Sequence, residues 1–261
     1  MVINVLLQFL KWKVVCNSLL NISDNKKILK SLFYGFSAGI ITPVRVGEYL
    51  GRKLALEEVG LLKVTISTIV EKFASLFIVL IVGSIATIYF IYLYYNFFYS
   101  IPVLLFVSII LIIFTLFIFG YKPTSSFFQK LANRINIIKQ LEIELEYARK
   151  MNRNDFRLLM LYSLLFYFVI IMQYALLALA FEQEGNVLLF LIAGIIVLFI
   201  KSIFSFLSFA DLGIRESTSV FLVGKMGYSN AVGFNSAIFL FLFNLVIPSL
   251  IGMFLLLKRS D

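Results

Sequence analysis

Long apolar runs constrain this chain most, because a helix needs about 20 apolar residues to cross a bilayer. Of the 261 residues, 61% are hydrophobic and only 14% are charged, and the mean hydropathy is +1.00. Spans are predicted at 63–95, 101–120, 156–181 and 229–257, with a marginal span at 1–20 that Lys11 and Lys13 interrupt. We therefore predict an all-α integral membrane protein with about five full transmembrane helices, forming a single polytopic membrane domain over residues 1–261.

Composition also limits the chemistry. The chain has no histidine and one cysteine, Cys16, which argues against His-based metal sites, catalytic triads and a disulfide framework. The formal charge of +9 comes from lysines and arginines that flank apolar spans, as topology signals and contacts with anionic lipid require, so nucleic acid is not an expected partner. We expect no catalytic residue, no metal and no cofactor; a membrane enzyme that attacks lipid phosphate with carboxylates is an alternative.

Two charged islands interrupt the apolar pattern, ITPVRVGEYLGRK at 41–53 and FADLGIRE at 209–216. Basic residues concentrate at 121–157, in the first linker and at the C-terminus, whereas the breaks at 94–100 and 182–187 have none. Since positive charge marks the cytoplasmic side, the basic segments are predicted to be cytoplasmic. We expect a multi-pass protein of the cell membrane with a cytoplasmic C-terminus.

With those sides assigned, residues 28–58 leave the cytoplasm and return to it, and residues 188–227 do the same from the outside. Each island then lies at the tip of a re-entrant helical hairpin. The halves 1–120 and 156–261 form an inverted repeat, an arrangement that places a transporter's substrate site where broken helices meet. The linker 121–155 is predicted to be a cytoplasmic amphipathic helix that packs on the bundle or the membrane, or that docks a partner protein.

The first island has the residues of a helix start and an ion pair. Thr42 is predicted to be the N-cap of a new helix and Pro43 its first residue. Glu48 and Arg52 have the spacing and order of an intrahelical ion pair, and Arg45 lies one turn before Glu48. We expect one arginine to neutralise Glu48 and the other to remain free.

The second island offers Asp211 as a cap, Gly213 for close backbone approach, and the adjacent pair Arg215 and Glu216. A helix N-terminus has unpaired N–H groups and a positive dipole end, and arginine matches phosphate oxygens two at a time. Each hairpin tip is therefore suited to an anion such as phosphate.

Charged side chains inside a membrane are usually paired or functional, because each costs about 2.5–3.5 kcal/mol near the bilayer centre on insertion scales. The structural alternative is that they form salt bridges that hold the hairpins, and Lys201 could extend its amine to the interface. The candidate substrate-binding residues are Thr42, Arg45, Glu48, Arg52, Glu71, Lys72, Lys201, Asp211, Gly213, Arg215 and Glu216.

The chain resembles the lysylphosphatidylglycerol synthase transmembrane region, also called the flippase-like domain family, in GIITPVRVGEYLGRKLAL, STIVEKFASLF and FADLGIRESTSVFL. The positions that match the family's motifs are Arg45, Gly47, Glu48, Arg52, Glu71, Lys72, Gly213, Arg215 and Glu216. The sequence departs where the family has a Pro and a Gly-Gly before the last motif. It holds no soluble aminoacyl-transferring domain such as some members carry, so we expect the membrane module and not lysyl transfer.

The resemblance implies handling of a phosphate-bearing lipid, such as an aminoacylated phospholipid or a polyprenyl-phosphate-linked glycan. Our first hypothesis is a transporter that moves an anionic lipid headgroup between leaflets, with Arg45, Arg52 and Arg215 on the phosphate. Nearby glutamates would position the arginines or carry protons. The second hypothesis is a non-transporting subunit that docks a lipid-modifying enzyme through residues 121–155.

Overall fold

The protein is helical throughout the part that the structure, a computed structural model, describes: residues 1–42, 45–106, 108–109, 151–204 and 211–260. Its helices are α1 (Val2–Val15), α2 (Asn25–Ile41), α3 (Gly47–Ala55), α4 (Leu61–Tyr94), α5 (Arg153–Phe181), α6 (Val187–Phe204), α7 (Asp211–Lys225), α8 (Asn230–Phe241) and α9 (Ile247–Ser260). A π-helical turn, Cys16–Leu20, extends α1, and another, Leu242–Val246, joins α8 to α9. The predicted all-α class is confirmed.

Within these ranges, five helical stretches are long and apolar enough to be candidate membrane spans, which supports a multi-pass membrane protein. They are Val2–Leu20, Leu61–Tyr94, Arg153–Phe181, Val187–Phe204 and Asn230–Lys258. The set differs from the predicted one in a single member. Most of the predicted span 101–120 lies outside the described residues, and α6, predicted as an arm of the second hairpin, has the length and composition of a span.

The first helices fold back on each other through specific caps. The chain leaves the π-helical turn at Asn21, whose φ of 56° is left-handed and ends the helix. Asp24 then caps α2 by accepting a hydrogen bond from the backbone N–H of Lys26 at 2.8 Å. The indole N–H of Trp12 donates to the Ser31 hydroxyl at 2.6 Å, so α1 packs directly against α2.

α2 and α3 form a helical hairpin whose backbones touch. A Cβ at Gly47 would collide with the carbonyl oxygen of Ala38, and one at Gly51 would collide with that of Tyr34. These pairings run in opposite directions along the two helices, so the helices are antiparallel. With 17 and 9 residues, they are about 25 Å and 13 Å long, and neither matches the ~30 Å hydrocarbon core of a bilayer.

Pro43, the predicted first residue of the new helix, lies outside the described residues; in the described part, α3 begins at Gly47 and its N-cap is Val46. Arg45 has a φ of 55°, a left-handed conformation that a right-handed helix cannot contain. Thr42 still caps α3 from a distance, because its hydroxyl accepts a hydrogen bond from the Gly47 N–H at 2.7 Å. The chain therefore reverses direction between the end of α2 at Ile41 and the start of α3 at Gly47.

α9 holds the other side of α2 through small residues, as is common for packed membrane helices. A Cβ at Gly252 would meet the backbone oxygen of Phe33. The Ser37 hydroxyl donates to the Ser249 carbonyl at 2.7 Å, and the Ser249 hydroxyl donates to the Phe36 carbonyl at 3.0 Å. The hairpin is thus packed between α9 and the remaining helices.

α5 connects the hairpin side of the molecule to α7 and α8. The Tyr174 hydroxyl lies 2.6 Å from that of Ser219, which donates to the Gly233 carbonyl at 2.6 Å. These buried contacts position α7, the helix that carries the second charged island. Residues 205–210, which include the first two residues of the second island, lie outside the described residues.

Candidate functional site

A cavity of about 640 Å³ opens between the hairpin, α1, α4, α5, α6 and α8. Its wall combines apolar side chains such as Leu76, Val79 and Ile170 with charged ones. The members of the predicted set that line it are Thr42, Arg45, Glu48, Arg52, Glu71, Lys72 and Lys201. The structure therefore brings the first island together with the Glu71–Lys72 pair and Lys201.

Arg52 lies at the centre of the charged cluster. One guanidinium nitrogen contacts Glu48 Oε1 at 2.9 Å, one turn away on α3, and the other contacts Glu71 Oε2 on α4 at 2.6 Å. All three side chains are at most 5% exposed. Arginine suits this position because its planar fork donates in two directions from one charge. The contact ties the hairpin to α4.

Arg45 and Lys72 form the accessible side of the cluster. Both contact Glu48 Oε2, Arg45 at 3.3 Å and Lys72 at 2.7 Å. Their side chains are 31% and 38% exposed, whereas that of Glu48 is 3% exposed. Because both arginines contact Glu48, the prediction that one of them remains free is wrong. The predicted Glu48–Arg52 ion pair is confirmed.

Lys11 completes the cluster, although it was not among the predicted site residues. Its ammonium group lies 3.3 Å from Glu71 Oε1 and donates to the Ser75 hydroxyl. It sits midway along the span Val2–Leu20, where an unpaired lysine would be costly. A lysine at the centre of a span is the sequence signal for this role, although Lys11 was predicted only to interrupt the span.

Trp12 packs its indole ring against the guanidinium group of Arg52. The guanidinium carbon lies 4.1 Å from the centre of the indole ring, a distance typical of a cation–π contact, and Trp12 is fully buried. The indole therefore packs against a charge that is removed from water. No sequence pattern pairs residues 12 and 52, so this contact was not predicted.

Charge in the cluster does not balance. Among the described side chains, Lys11, Arg45, Arg52 and Lys72 face Glu48 and Glu71, so four cations share two carboxylates and the described cluster has two more positive than negative charges. Lys201 also lines the cavity. Within the described ranges, no group of three His, Cys, Asp or Glu side chains could hold a metal ion.

The second island lies near this cavity without lining it in the described structure. Arg215 and Glu216 are buried on α7, and the Arg215 guanidinium lies 5.2 Å from the ring centre of Phe241, which lines the cavity. α7 begins at Asp211, but the Asp211 side chain is outside what the structure describes, so its capping role stays a prediction. No described atom lies within 4 Å of a Cβ built at Gly213, and its predicted close approach to a ligand also stays a prediction.

Residues 1–252 match the family described as "Lysylphosphatidylglycerol synthase TM region". This match covers both islands and every helix that contributes to the cavity. No curated protein and no solved structure matches the chain significantly.

Proposed function

This chain belongs to the lysylphosphatidylglycerol synthase transmembrane family, and we propose that it translocates a phosphate-bearing anionic lipid across the membrane. The family supports a membrane function related to lipids. The observation that carries the finer proposal is the cavity with a cationic surface between the hairpin and α4. Transport is favoured over catalysis because cations engage both carboxylates of the cluster.

The cavity suits a lipid headgroup in size and lining. Its volume of about 640 Å³ falls within the about 300–1,000 Å³ of typical ligand sites. The charged side would receive a phosphate, and the apolar side chains of α4 and α5 would receive the first part of the lipid chains. Arg45 and Lys72 are the side chains best exposed for a direct phosphate contact, through hydrogen bonds to charged oxygens.

The depth of the site supports a re-entrant first hairpin. Lys11 is central in its span, and Glu71 is ten residues, or about 15 Å, from the start of α4. The links 21–24 and 56–60 are short, so both ends of the hairpin stay near the same side of the membrane. The tip then reaches the middle of the bilayer, where non-helical backbone survives only when protein or a polar cavity surrounds it.

The inverted-repeat hypothesis extends the proposal to the second island. α6 and α7 would enter from the outer face, and Arg215 would approach the phosphate from the side opposite to Arg45 once the cavity changes shape. We place 121–155 and the C-terminus in the cytoplasm of a protein of the cell membrane. The docking-subunit alternative depends on 121–155, most of which lies outside the described residues, and no observation favours it.

Reconstitution in liposomes tests the proposal. The purified protein is incorporated with fluorescent phospholipids or a fluorescent polyprenyl-phosphate lipid, and the loss of outer-leaflet signal is followed after a membrane-impermeant quencher is added. Arg45→Ala should slow translocation about 10- to 100-fold, which is the value of one charge-assisted hydrogen bond. Lys27→Ala is the matched control, because Lys27 pairs with Glu58 away from the cavity, and it should translocate at the wild-type rate.

Folding of each variant is checked by its melting temperature in detergent. A folded wild-type protein that moves none of these lipids would refute the proposal. So would an Arg45→Ala protein that transports at the wild-type rate.

A further inference from the structure

Both carboxylates in the cavity are already occupied on both oxygens. Glu48 Oε1 contacts Arg52 at 2.9 Å, and Glu48 Oε2 contacts Lys72 and Arg45 at 2.7 and 3.3 Å. Glu71 Oε2 contacts Arg52 at 2.6 Å, and Glu71 Oε1 contacts Lys11 at 3.3 Å. Among the described residues that line the cavity, no other side chain is anionic. An incoming ammonium group would therefore meet carboxylates whose charge already compensates resident cations.

The accessible side of the cluster is positive. The side chains of Arg45 and Lys72 are 31% and 38% exposed and share one oxygen of Glu48. The Nε–H of Arg45 is buried and has no hydrogen-bond partner among the described residues, so the accessible donors of Arg45 are its terminal nitrogens. The inner cations, Arg52 and Lys11, are at most 5% exposed and add their charge from behind. The cluster thus presents donors and surplus positive charge to whatever enters the cavity.

We propose that this cavity selects lipids whose headgroup carries about two or more negative charges, as a phosphomonoester or a diphosphate does, and that it discriminates against aminoacylated phospholipids. The proposal rests on the lipid transport proposed above and narrows its substrate class.

Charge balance gives the physical reason. The cluster has a surplus of two positive charges without Lys201, and a phosphomonoester at pH 7 carries about −1.5 to −2. A phosphodiester carries a single negative charge and leaves part of the surplus uncompensated. A lysyl headgroup brings an α- and an ε-ammonium beside its phosphate, and like charges in a partly desolvated site repel strongly.

Arg45 and Lys72 are the residues that would discriminate. Each lies on the exposed side, and each has a contact with Glu48 that a phosphate oxygen can supplement. The left-handed backbone of Arg45, with its φ of 55°, is a conformation that non-glycine residues rarely adopt. This strained position at the hairpin tip directs the guanidinium to the cavity.

The test uses lipids that differ only in the headgroup. Dioleoyl phosphatidic acid, a monoester, dioleoyl phosphatidylglycerol, a diester, and dioleoyl lysylphosphatidylglycerol are titrated into the purified full-length chain in detergent micelles. We expect phosphatidic acid to bind at least about tenfold more tightly than phosphatidylglycerol, as one additional charge-assisted contact implies. Lysylphosphatidylglycerol should bind at least about tenfold more weakly than phosphatidylglycerol.

Variants test whether Arg45 and Lys72 cause the preference for phosphatidic acid. Lys72→Gln and Arg45→Gln each remove one of the surplus charges and should reduce the preference for phosphatidic acid over phosphatidylglycerol about tenfold. Lys27→Gln, which lowers the total charge equally but outside the cavity, should keep the wild-type preference. Inorganic phosphate lacks the acyl chains and should compete at least about tenfold more weakly than phosphatidic acid.

The outcomes separate this inference from the proposed function. Lysylphosphatidylglycerol binding as tightly as phosphatidic acid, or equal binding of the monoester and the diester, would overturn the selectivity and leave lipid transport standing. Binding of none of the three lipids by folded protein would overturn both. Equal competition by inorganic phosphate would identify a site for a free anion and overturn the lipid assignment. The order of the wild-type affinities for the three lipids tests the proposed selectivity even if a variant fails to fold.

Discussion

Replacing Arg52 by glutamine should destabilise the protein by about 3–5 kcal/mol, the usual cost of removing one partner from a buried ion pair. Arg52 is 3% exposed and is the only group that contacts both Glu48 and Glu71 in the described structure. Its loss brings two carboxylates together without the cation between them. The network that connects the hairpin to α4 then becomes a source of repulsion.

The remaining contacts bound this magnitude. Glu48 keeps Lys72 and Arg45, and Glu71 keeps Lys11, so the cost stays well below the desolvation of two isolated ions. Loss of the cation–π contact with Trp12 at 4.1 Å contributes about 0.5–2 kcal/mol of the total. These opposing effects keep the expected change within the range above.

Equilibrium unfolding in detergent micelles, followed by circular dichroism, measures the change. Arg45→Gln is the matched control, because it removes the same charge from the same hairpin where the side chain is 31% exposed. Its cost should be about 1 kcal/mol or less, as for other solvent-screened pairs. The variant pair thus compares one residue type in two environments within the same hairpin.

A double-mutant cycle isolates the contact with Glu71. Glu71→Gln in the Arg52→Gln background should recover part of the lost stability, with a coupling of about 0.5–3 kcal/mol. An Arg52→Gln protein less than about 1 kcal/mol below wild type, or a cycle without coupling, would refute the assignment of Arg52 as the central structural cation.

Three further substitutions test the packing around the site by unfolding in the same micelles. Gly51→Ala places a Cβ against a backbone carbonyl of α2 and should lower the free energy of unfolding by at least about 1–3 kcal/mol. Gly60→Ala is the control, because open space lies beside Gly60, and it should change stability little. Equal effects of the two substitutions would contradict the close contact between the α2 and α3 backbones. Trp12→Phe loses the 2.6 Å hydrogen bond to Ser31 and should cost about 0.5–1.5 kcal/mol; unchanged stability would argue against that bond. Asn244→Leu removes a partly buried amide that bonds two other helices and should cost about 0.5–2 kcal/mol. A stabilised variant would count against this amide contact.

The features that depend on neighbouring residues were predictable. Span length and apolar composition are local properties, so the membrane class and the approximate number of spans followed from the sequence. The Glu48–Arg52 pair followed from helical spacing and occurs at 2.9 Å. The motifs of the first island indicated the family, which the match over residues 1–252 shows.

The features that depend on the tertiary fold were not predictable. Lys11 pairs with Glu71, and their separation of 60 residues has no local signature. The helix start is a different case. Thr42 and Pro43 have the residue types of a cap and a first helical position, but Pro43 lies outside the described residues; the left-handed conformation of Arg45, just before α3 begins at Gly47, has no sequence signature.

The energetic cost of a charge inside the membrane marks a residue as important. It does not tell whether the residue holds the fold together or binds a ligand. Applied to the sequence, it selected Arg45 and Arg52 alike as phosphate contacts. In the structure one of them is enclosed by two carboxylates and an indole, and the other is exposed at the cavity. Loss of transport in both variants would therefore have two origins, and only a stability measurement beside the transport assay separates a broken hairpin from a missing phosphate ligand.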